Sequence, residues 1–470
     1  MKNSTVRLES IEITNLKNVQ YGFISFNNPR KNYSSSVLGL YGQNGSGKTV
    51  LIDALQLLKY ALTGQALQSN FSDFVNVDAP YSELKYCFSV KALDSSAEYS
   101  VHYSFKLAKV SDDSGLNTSQ NNTSSANFKA SITDELLSYS YRTDGIKTKL
   151  QPVIDTRTEG VFIPTSKYST LVGNDKKTTN NLLISKSLAY ATSRSFVFSR
   201  ELLNVLRQKC KIKYHLDLIE SLVWYGNFEL FIISTSNSGL ITMNTLPLLF
   251  KYDEEGHSSI GSFVINLNGA TLIPQDAYSV VNKVIHSMNY VLPQLIPGLT
   301  ISVKNLGNEL FPDGKTATKI QLVSDKNSKE IPLQYESEGI KKMISILQLL
   351  IVVYNNASIT VAIDELDSGV FEYLLGELLR IISEKGKGQL IFTSHNLRPL
   401  ETLDRGFIAF TTTNPENRYI RLSNIKTNNN LRDFYYRDIV LGEQCEPVYE
   451  PTNNYEIALA FREAGDLSGS

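Results

Sequence analysis

The 470-residue sequence is short of several things, and each shortage excludes something. Its 3 cysteines (Cys87, Cys210 and Cys445) are far apart and form no CxxC pair. That spacing gives no zinc site or disulfide framework and suits a reducing compartment. No apolar run approaches the ~18 residues that a membrane-spanning helix needs. The opening MKNSTVRLES has no apolar core of the secretory kind, so the expected location is cytoplasmic, with no membrane partner. Charge of one sign is lacking too: 46 Lys+Arg stand against 47 Asp+Glu. The chain as a whole is therefore no constitutive polyanion binder. There is no internal repeat, and no heptad pattern is sustained for long, which disfavours coiled-coil arms.

What is present is a globular balance, 42% hydrophobic and 20% charged. The length calls for two or three structural parts. The neutral total hides an asymmetry. Residues 140–215 carry 14 Lys+Arg against 5 Asp+Glu, a local charge of +9, while 438–470 carries −6. The basic stretch fits either a DNA or acidic-protein contact or a plain solvated face. Within it, Arg207, Lys209, Lys211 and Lys213 form the densest cluster.

Along the chain, the pattern predicts strands at 8–13 and 22–26, a short apolar strand at 36–41, and a helix at 49–62 with Leu51, Ile52, Leu55, Leu58 and Leu62 on one face. Period-two alternation at 83–106 predicts a hairpin or meander. Polar stretches at 110–127 and 173–181 read as loops. The C-terminal third alternates helix 338–354, strand 359–363, helix 371–384 and strand 388–393, a βαβ signature. The expected fold is α/β: a head whose mixed sheet is built from both ends of the chain, with a large inserted α+β lobe. The expected parts are 1–80 (N-terminal half of the head), 81–139 (β-rich segment and loop), 140–330 (inserted basic lobe), 331–425 (C-terminal half of the head) and 426–470 (acidic tail).

Gly42-Gln43-Asn44-Gly45-Ser46-Gly47-Lys48-Thr49 fits GxxxxGK[ST] in full, after a strand and before a helix. Glycines let successive N–H groups curl toward phosphate oxygens, and the helix N-terminus adds its positive end. Asn44, Gly45, Ser46, Gly47, Lys48 and Thr49 are thus the expected ATP cradle, with the Thr49 hydroxyl on Mg2+. A second apolar strand ends in Asp364-Glu365. Asp364 is the expected metal carboxylate, and Glu365 the group that orients or deprotonates the attacking water. The next strand ends in Ser394-His395-Asn396, which puts His395 beside the γ-phosphate as a sensor. Ser337-Glu338-Gly339 opens a helix just before the carboxylate strand, and a Ser and a Gly there make a second anion site. One molecule already has a phosphate cradle, so the second site makes sense if it caps the nucleotide of a partner molecule.

Together these elements resemble the ATP-binding-cassette ATPases, in the branch of the structural-maintenance-of-chromosomes (SMC) and overcoming-lysogenization-defect (OLD) proteins. Ile11-Glu12-Ile13-Thr14-Asn15-Leu16-Lys17-Asn18 resembles that branch's first strand, and Ser337-Glu338-Gly339 its signature. Asp364-Glu365-Leu366-Asp367-Ser368-Gly369-Val370-Phe371 resembles its Walker B and D-loop, with Leu366 and Phe371 where Pro and His are frequent. The resemblance covers roughly 1–90 and 330–425, and 69–74 is the expected Q-loop region. It implies a homodimer or higher homo-oligomer that sandwiches ATP between Lys48 and Thr49 of one head and Ser337 and Gly339 of the other, with Asp367 in the D-loop near the nucleotide. Stand-alone members are similar to the ATPase subunits of anti-phage defence systems, which control a separate, nuclease-like effector. Only 396–470 follows His395, too little for a nuclease domain of the OLD kind. The main alternative is a DNA-repair or chromosome-associated ATPase. A transporter ATPase ranks lowest, because the signature is not LSGGQ.

Overall fold

The computed structural model describes residues 4–30, 33–92, 97–111, 128–143, 146–234, 244–254, 257–310, 314–326, 329–422, 430–442 and 444–468. Most of the loop expected at 110–127 lies outside the described residues.

Two sheets grip the P-loop helix. The first is antiparallel and runs in the order Val19–Ser25, Ser4–Leu16, Tyr81–Ala92, Glu98–Ser111, Phe128–Thr143, Ile146–Lys147, with Gln151–Asp155 also on Phe128–Thr143. The 83–106 alternation is therefore a meander, but it continues the sheet of the first two strands instead of forming a separate segment. The second sheet runs in the order Tyr419–Ile420, Ile408–Thr411, Ser36–Tyr41, Gln389–Thr393, Thr360–Ile363, Leu230–Ile233. All its pairs are parallel except that of Tyr419–Ile420. It draws strands from both ends of the chain, as expected, and takes one more from the middle. Leu230–Ile233 is only four apolar residues directly after a helix, which leaves no periodicity to read.

The core strands are mostly apolar, with polar residues only at their ends, because both faces are covered. Leu38, Leu40, Ala362 and Ile391 face the helix Lys48–Thr63, while Val37, Val361, Ile363, Leu390 and Phe392 face the helices Glu338–Asn355 and Glu372–Lys385. The predicted stripe Leu51, Ile52, Leu55, Leu58 and Leu62 is fully buried between the sheets, each side chain contributing about 1.5–3 kcal/mol. A buried polar bridge fixes the two sheets: the Gln389 side-chain amide exchanges two 2.8 Å hydrogen bonds with the Leu8 backbone and accepts a third from Thr360.

The segment 140–330 is not one lobe. Helices Lys176–Ala191, Arg200–Lys209 and Lys213–Phe228 pack in the core of the N-terminal sheet. The loop expected at 173–181 is in part helix, because Asp175 caps it by accepting from the N–H groups of Lys177 and Thr178. After Leu230–Ile233, a hairpin (Thr245–Glu254 with His257–Asn266), an antiparallel sheet (Thr271–Pro274, Thr316–Lys326, Leu299–Leu310, with Lys329–Pro332) and the helix Gln275–Met288 form a third core with Ile344 and Leu347 of Glu338–Asn355. No described helix is long and apolar enough to cross a membrane.

Candidate functional site

The cradle is built as the sequence demands. Gly42, Gly45 and Gly47 all have positive φ, and a Cβ on Gly42 would stand 1.8 Å from Thr411 Oγ1. The Ser46 hydroxyl donates to the Gln43 carbonyl at 2.6 Å, tightening the curl. Asn44 and Gly45 are exposed at the loop's tip, and Thr49 is exposed one residue after Lys48. The Lys48 ammonium donates to the carbonyls of Gly42 (2.8 Å) and Gln43 (2.9 Å) and is buried in the loop. Burial lowers its pKa, while the charges of Asp364, Glu365 and Asp367 in its surroundings raise it.

Strand order explains how they reach it. Gln389–Thr393 lies between the P-loop strand and the carboxylate strand, with Ile363 opposite Phe392. Thr393, one residue on, joins both acids: its hydroxyl donates to Asp364 Oδ1 (2.6 Å) and accepts from the Glu365 N–H (2.8 Å). Sequence reading passed over Thr393; a hydroxyl ending an otherwise apolar strand was the available signal. Glu365 sits at φ 48°, a left-handed conformation that turns the chain, and that turn puts adjacent acids at one site. Asp364 Oδ2 is buried with no hydrogen-bond partner among the described residues. An orphan carboxylate oxygen facing a phosphate cradle suits a hard cation, so the residues present fit Mg2+. Asp364 and Thr49 would hold it, with phosphate and water completing the shell. Among the described residues, no group of three or more His, Cys, Asp or Glu side chains is arranged for a metal. A magnesium site of this type does not require one.

Asp367 accepts from the backbone N–H groups of His395 (3.1 Å) and Asn396 (2.9 Å), tying the turn after Glu365 to the His395 loop. Its other oxygen is buried without a partner among the described residues. His395 itself is exposed. Ser337 is exposed and caps its own helix, accepting from the Ile340 N–H at 3.3 Å. Gly339 already has a reason to lack a side chain within one molecule: a Cβ there would lie 1.9 Å from the Gly369 carbonyl oxygen. The signature helix thus rests directly on the turn that carries Asp367.

Four more residues near the site gave no sequence signal. Lys17 pairs with Asp53 of the P-loop helix at 2.5 Å and lies 3.8 Å over the Phe74 ring. Arg418 donates to the carbonyls of Thr412 (2.6 Å) and Asn18 (2.7 Å), and the Tyr419 hydroxyl donates to the Gly47 carbonyl (3.0 Å), bracing the cradle from outside. Segment Ser69–Phe74, the expected Q-loop region, is a 3-10 turn beneath Lys17. In the basic stretch, Arg207 is paired with Glu220 and Lys209 with Asp175, and Lys186 is buried against the carbonyls of Thr156, Thr158 and Gly160. Part of the +9 charge is therefore structural.

A family profile described as an AAA domain matches residues 10–222, a span that contains the P-loop and stops before the carboxylate strand. No curated protein matches the chain. Among solved structures, it is similar to an SMC head bound to the C-terminal winged-helix domain of ScpA (11% identity, 89% of this chain and 98% of that chain, TM-score 0.40). It is also similar to the SMC head domain from Thermotoga maritima (13%, 89% and 99%, TM-score 0.36) and to the recombination mediator protein RecF-ATPrS of the RecFOR pathway (13%, 89% and 98%, TM-score 0.36). Likeness at that level says nothing of activity. The topology and the cradle define the fold as a mixed α/β P-loop ATPase head.

Proposed function

We propose that this chain hydrolyses ATP with Mg2+ and that two copies associate head to head around the nucleotide. The observation that carries the reading is a curled glycine loop with Lys48 on the same sheet as a strand that ends at Asp364, whose Oδ2 is buried with no hydrogen-bond partner among the described residues. Lys48 and the curled backbone bind the phosphates. Asp364 and Thr49 would hold Mg2+, which would neutralise phosphate charge. Glu365 accepts the proton of the attacking water, and its backbone is fixed by Thr393 for that task. The exposed Ser337 supplies the partner's phosphate contact.

The test uses Glu365→Gln, which keeps the size of the side chain and removes the proton acceptor. Turnover should fall by about 10²–10⁴-fold, ATP binding should persist, and an ATP-dependent dimer should accumulate on size exclusion. Adding Ser337→Arg should abolish that dimer and leave ATP binding in place. Parental turnover in Glu365→Gln, or unchanged association in the double variant, refutes the mechanism.

We further assign the dimer to a sensor role in anti-phage defence, acting on a separate nuclease-like effector. This rests on the motif resemblance, and it is preferred to direct action on DNA because the basic stretch is partly spent on internal pairs. Cells carrying the chain with its neighbouring genes should resist phage, and Lys48→Ala should remove the resistance. Equal plating of phage on both strains overturns the assignment.

A further inference from the structure

The signature helix carries two adjacent buried lysines that face different ways. Lys341 reaches out to the third lobe, where its ammonium donates to Asn244 Oδ1 at 3.1 Å. Lys342 turns inward, and its ammonium donates to the backbone carbonyl of Glu365. Lys342 is 4% exposed, so its charge is withdrawn from water and delivered to that one carbonyl. A buried ammonium needs compensation, which here comes from Asp367, Glu365 and Asp364 around it. The carbonyl it holds belongs to the residue with the left-handed backbone, φ 48°, a conformation that persists only where its surroundings enforce it. Three contacts set that residue: the Thr393 hydroxyl on its N–H, the Ser368 N–H (3.1 Å) and Lys342, both on its carbonyl. Of the three, only Lys342 comes from the signature helix. One turn earlier, Gly339 lies against Gly369 with no room for a methyl group. Helix start, D-loop and carboxylate turn are therefore in direct contact.

We propose that Lys342 is a positioning residue, tying the Glu365 turn to the signature helix so that engagement of a partner's nucleotide at Ser337 sets this chain's own water-activating carboxylate. The inference rests on the ATPase reading above. Lys342 touches neither substrate nor metal in this scheme. It acts through the Glu365 backbone, and its removal should affect turnover instead of affinity.

The experiment measures steady-state ATP hydrolysis, ATP affinity and thermal unfolding on the full chain for the parent, Lys342→Met, Lys342→Arg and Lys341→Met. A misplaced catalytic group costs about 10²-fold for a displacement of ~1 Å. Lys342→Met should therefore lose about 10–100-fold in kcat, with KM and ATP affinity near parental. Lys342→Arg, which keeps a long cationic donor, should recover part of the loss. Lys341→Met, equally buried on the same helix, should keep the parental kcat. Parental kcat in Lys342→Met overturns the proposal. So does an equal loss in Lys341→Met, or a loss confined to ATP affinity. If Lys342→Met does not fold, Lys342→Gln decides by the same criteria; if neither variant folds, Lys342 is a stability residue and the proposal fails. A parent that hydrolyses no ATP refutes the ATPase reading itself, an outcome distinct from parental kcat in the variant.

Discussion

A single methyl group at position 339 tests whether the signature helix and the D-loop act as one body. In Gly339→Ala the new Cβ would lie 1.9 Å from the Gly369 carbonyl oxygen, where contacts below 3.0 Å essentially never occur. One of the two segments must retreat by about 1 Å, the rough scale on which a misplaced group loses 10²-fold in rate. The D-loop cannot yield alone, because the Val370 N–H is bonded to Asp367 (3.0 Å) and the Ser368 N–H to Glu365 (3.1 Å). Asp367 in turn holds the His395 loop. On stability, the two effects oppose each other. Alanine gains up to about 1 kcal/mol over glycine in a helix, and less at its first turn. Overpacking costs about 1–3 kcal/mol. The net should be a destabilisation of no more than about 3 kcal/mol. The loss of kcat should be far larger than that destabilisation implies, about 10–100-fold. Thermal unfolding and ATP turnover at saturating nucleotide separate the two. A Gly339→Ala protein with parental turnover refutes the claim that this contact positions the carboxylates.

Two further outcomes follow from other parts of the structure. Lys48→Ala should abolish nucleotide binding or turnover, because it removes the cation whose surroundings include Asp364, Glu365 and Asp367; unchanged hydrolysis would refute the cradle. His215 is buried against the Tyr139 hydroxyl, and burial pulls its pKa from 6.5 down to about 4. The unfolded chain therefore takes up this proton first, so its contribution is complete above pH ~6.5 and is lost as pH falls toward 4, by about 2 kcal/mol at pH 5. Denaturant midpoints at pH 7.5 and pH 5 should show that slope in the parent and a weaker one in His215→Gln; parallel slopes would mean that His215 is charged in the fold.

The site was legible where chemistry demands residue types at fixed spacing. The P-loop needs glycines at positive φ, a lysine and a hydroxyl at fixed spacing. The carboxylate pair was legible because it ends an apolar strand. Thr393, Lys342 and Lys17 were not, for a common reason: each acts through a contact 28, 23 or 36 residues away in sequence, and its residue type is unremarkable where it stands. Their roles come from strand order and helix packing, which periodicity does not specify. The fold shows the same division. Three long amphipathic helices, Lys48–Thr63, Glu338–Asn355 and Glu372–Lys385, were located to within a residue or two at each end, because an apolar stripe repeats over several turns, whereas Lys176–Ala191 and Lys213–Phe228 were not. Four-residue Leu230–Ile233 repeats nothing, and its place beside Thr360–Ile363 is decided by the helix that delivers it.

That strand changes how the middle of the chain relates to the chemistry. The Ile233 carbonyl accepts the Asp364 N–H at 2.9 Å, so Asp364 is fixed on one side by Thr393 and on the other by a residue from the centre of the sequence. The helix feeding it, Lys213–Phe228, crosses the P-loop helix so closely that a Cβ on Gly226 would stand 2.6 Å from the Leu62 side chain. Its Tyr225 hydroxyl donates to Thr360 on the carboxylate strand at 2.8 Å. The same helix begins at Lys213, at the end of the cluster in which Arg207 and Lys209 already have acidic partners. Tyr225 and Gly226 lie 12 and 13 residues after Lys213, so roughly 18–20 Å of helix separates the basic surface from the P-loop helix and the carboxylate strand. The basic segment and the P-loop are parts of one packed unit, joined by a helix that touches both the P-loop helix and the carboxylate strand.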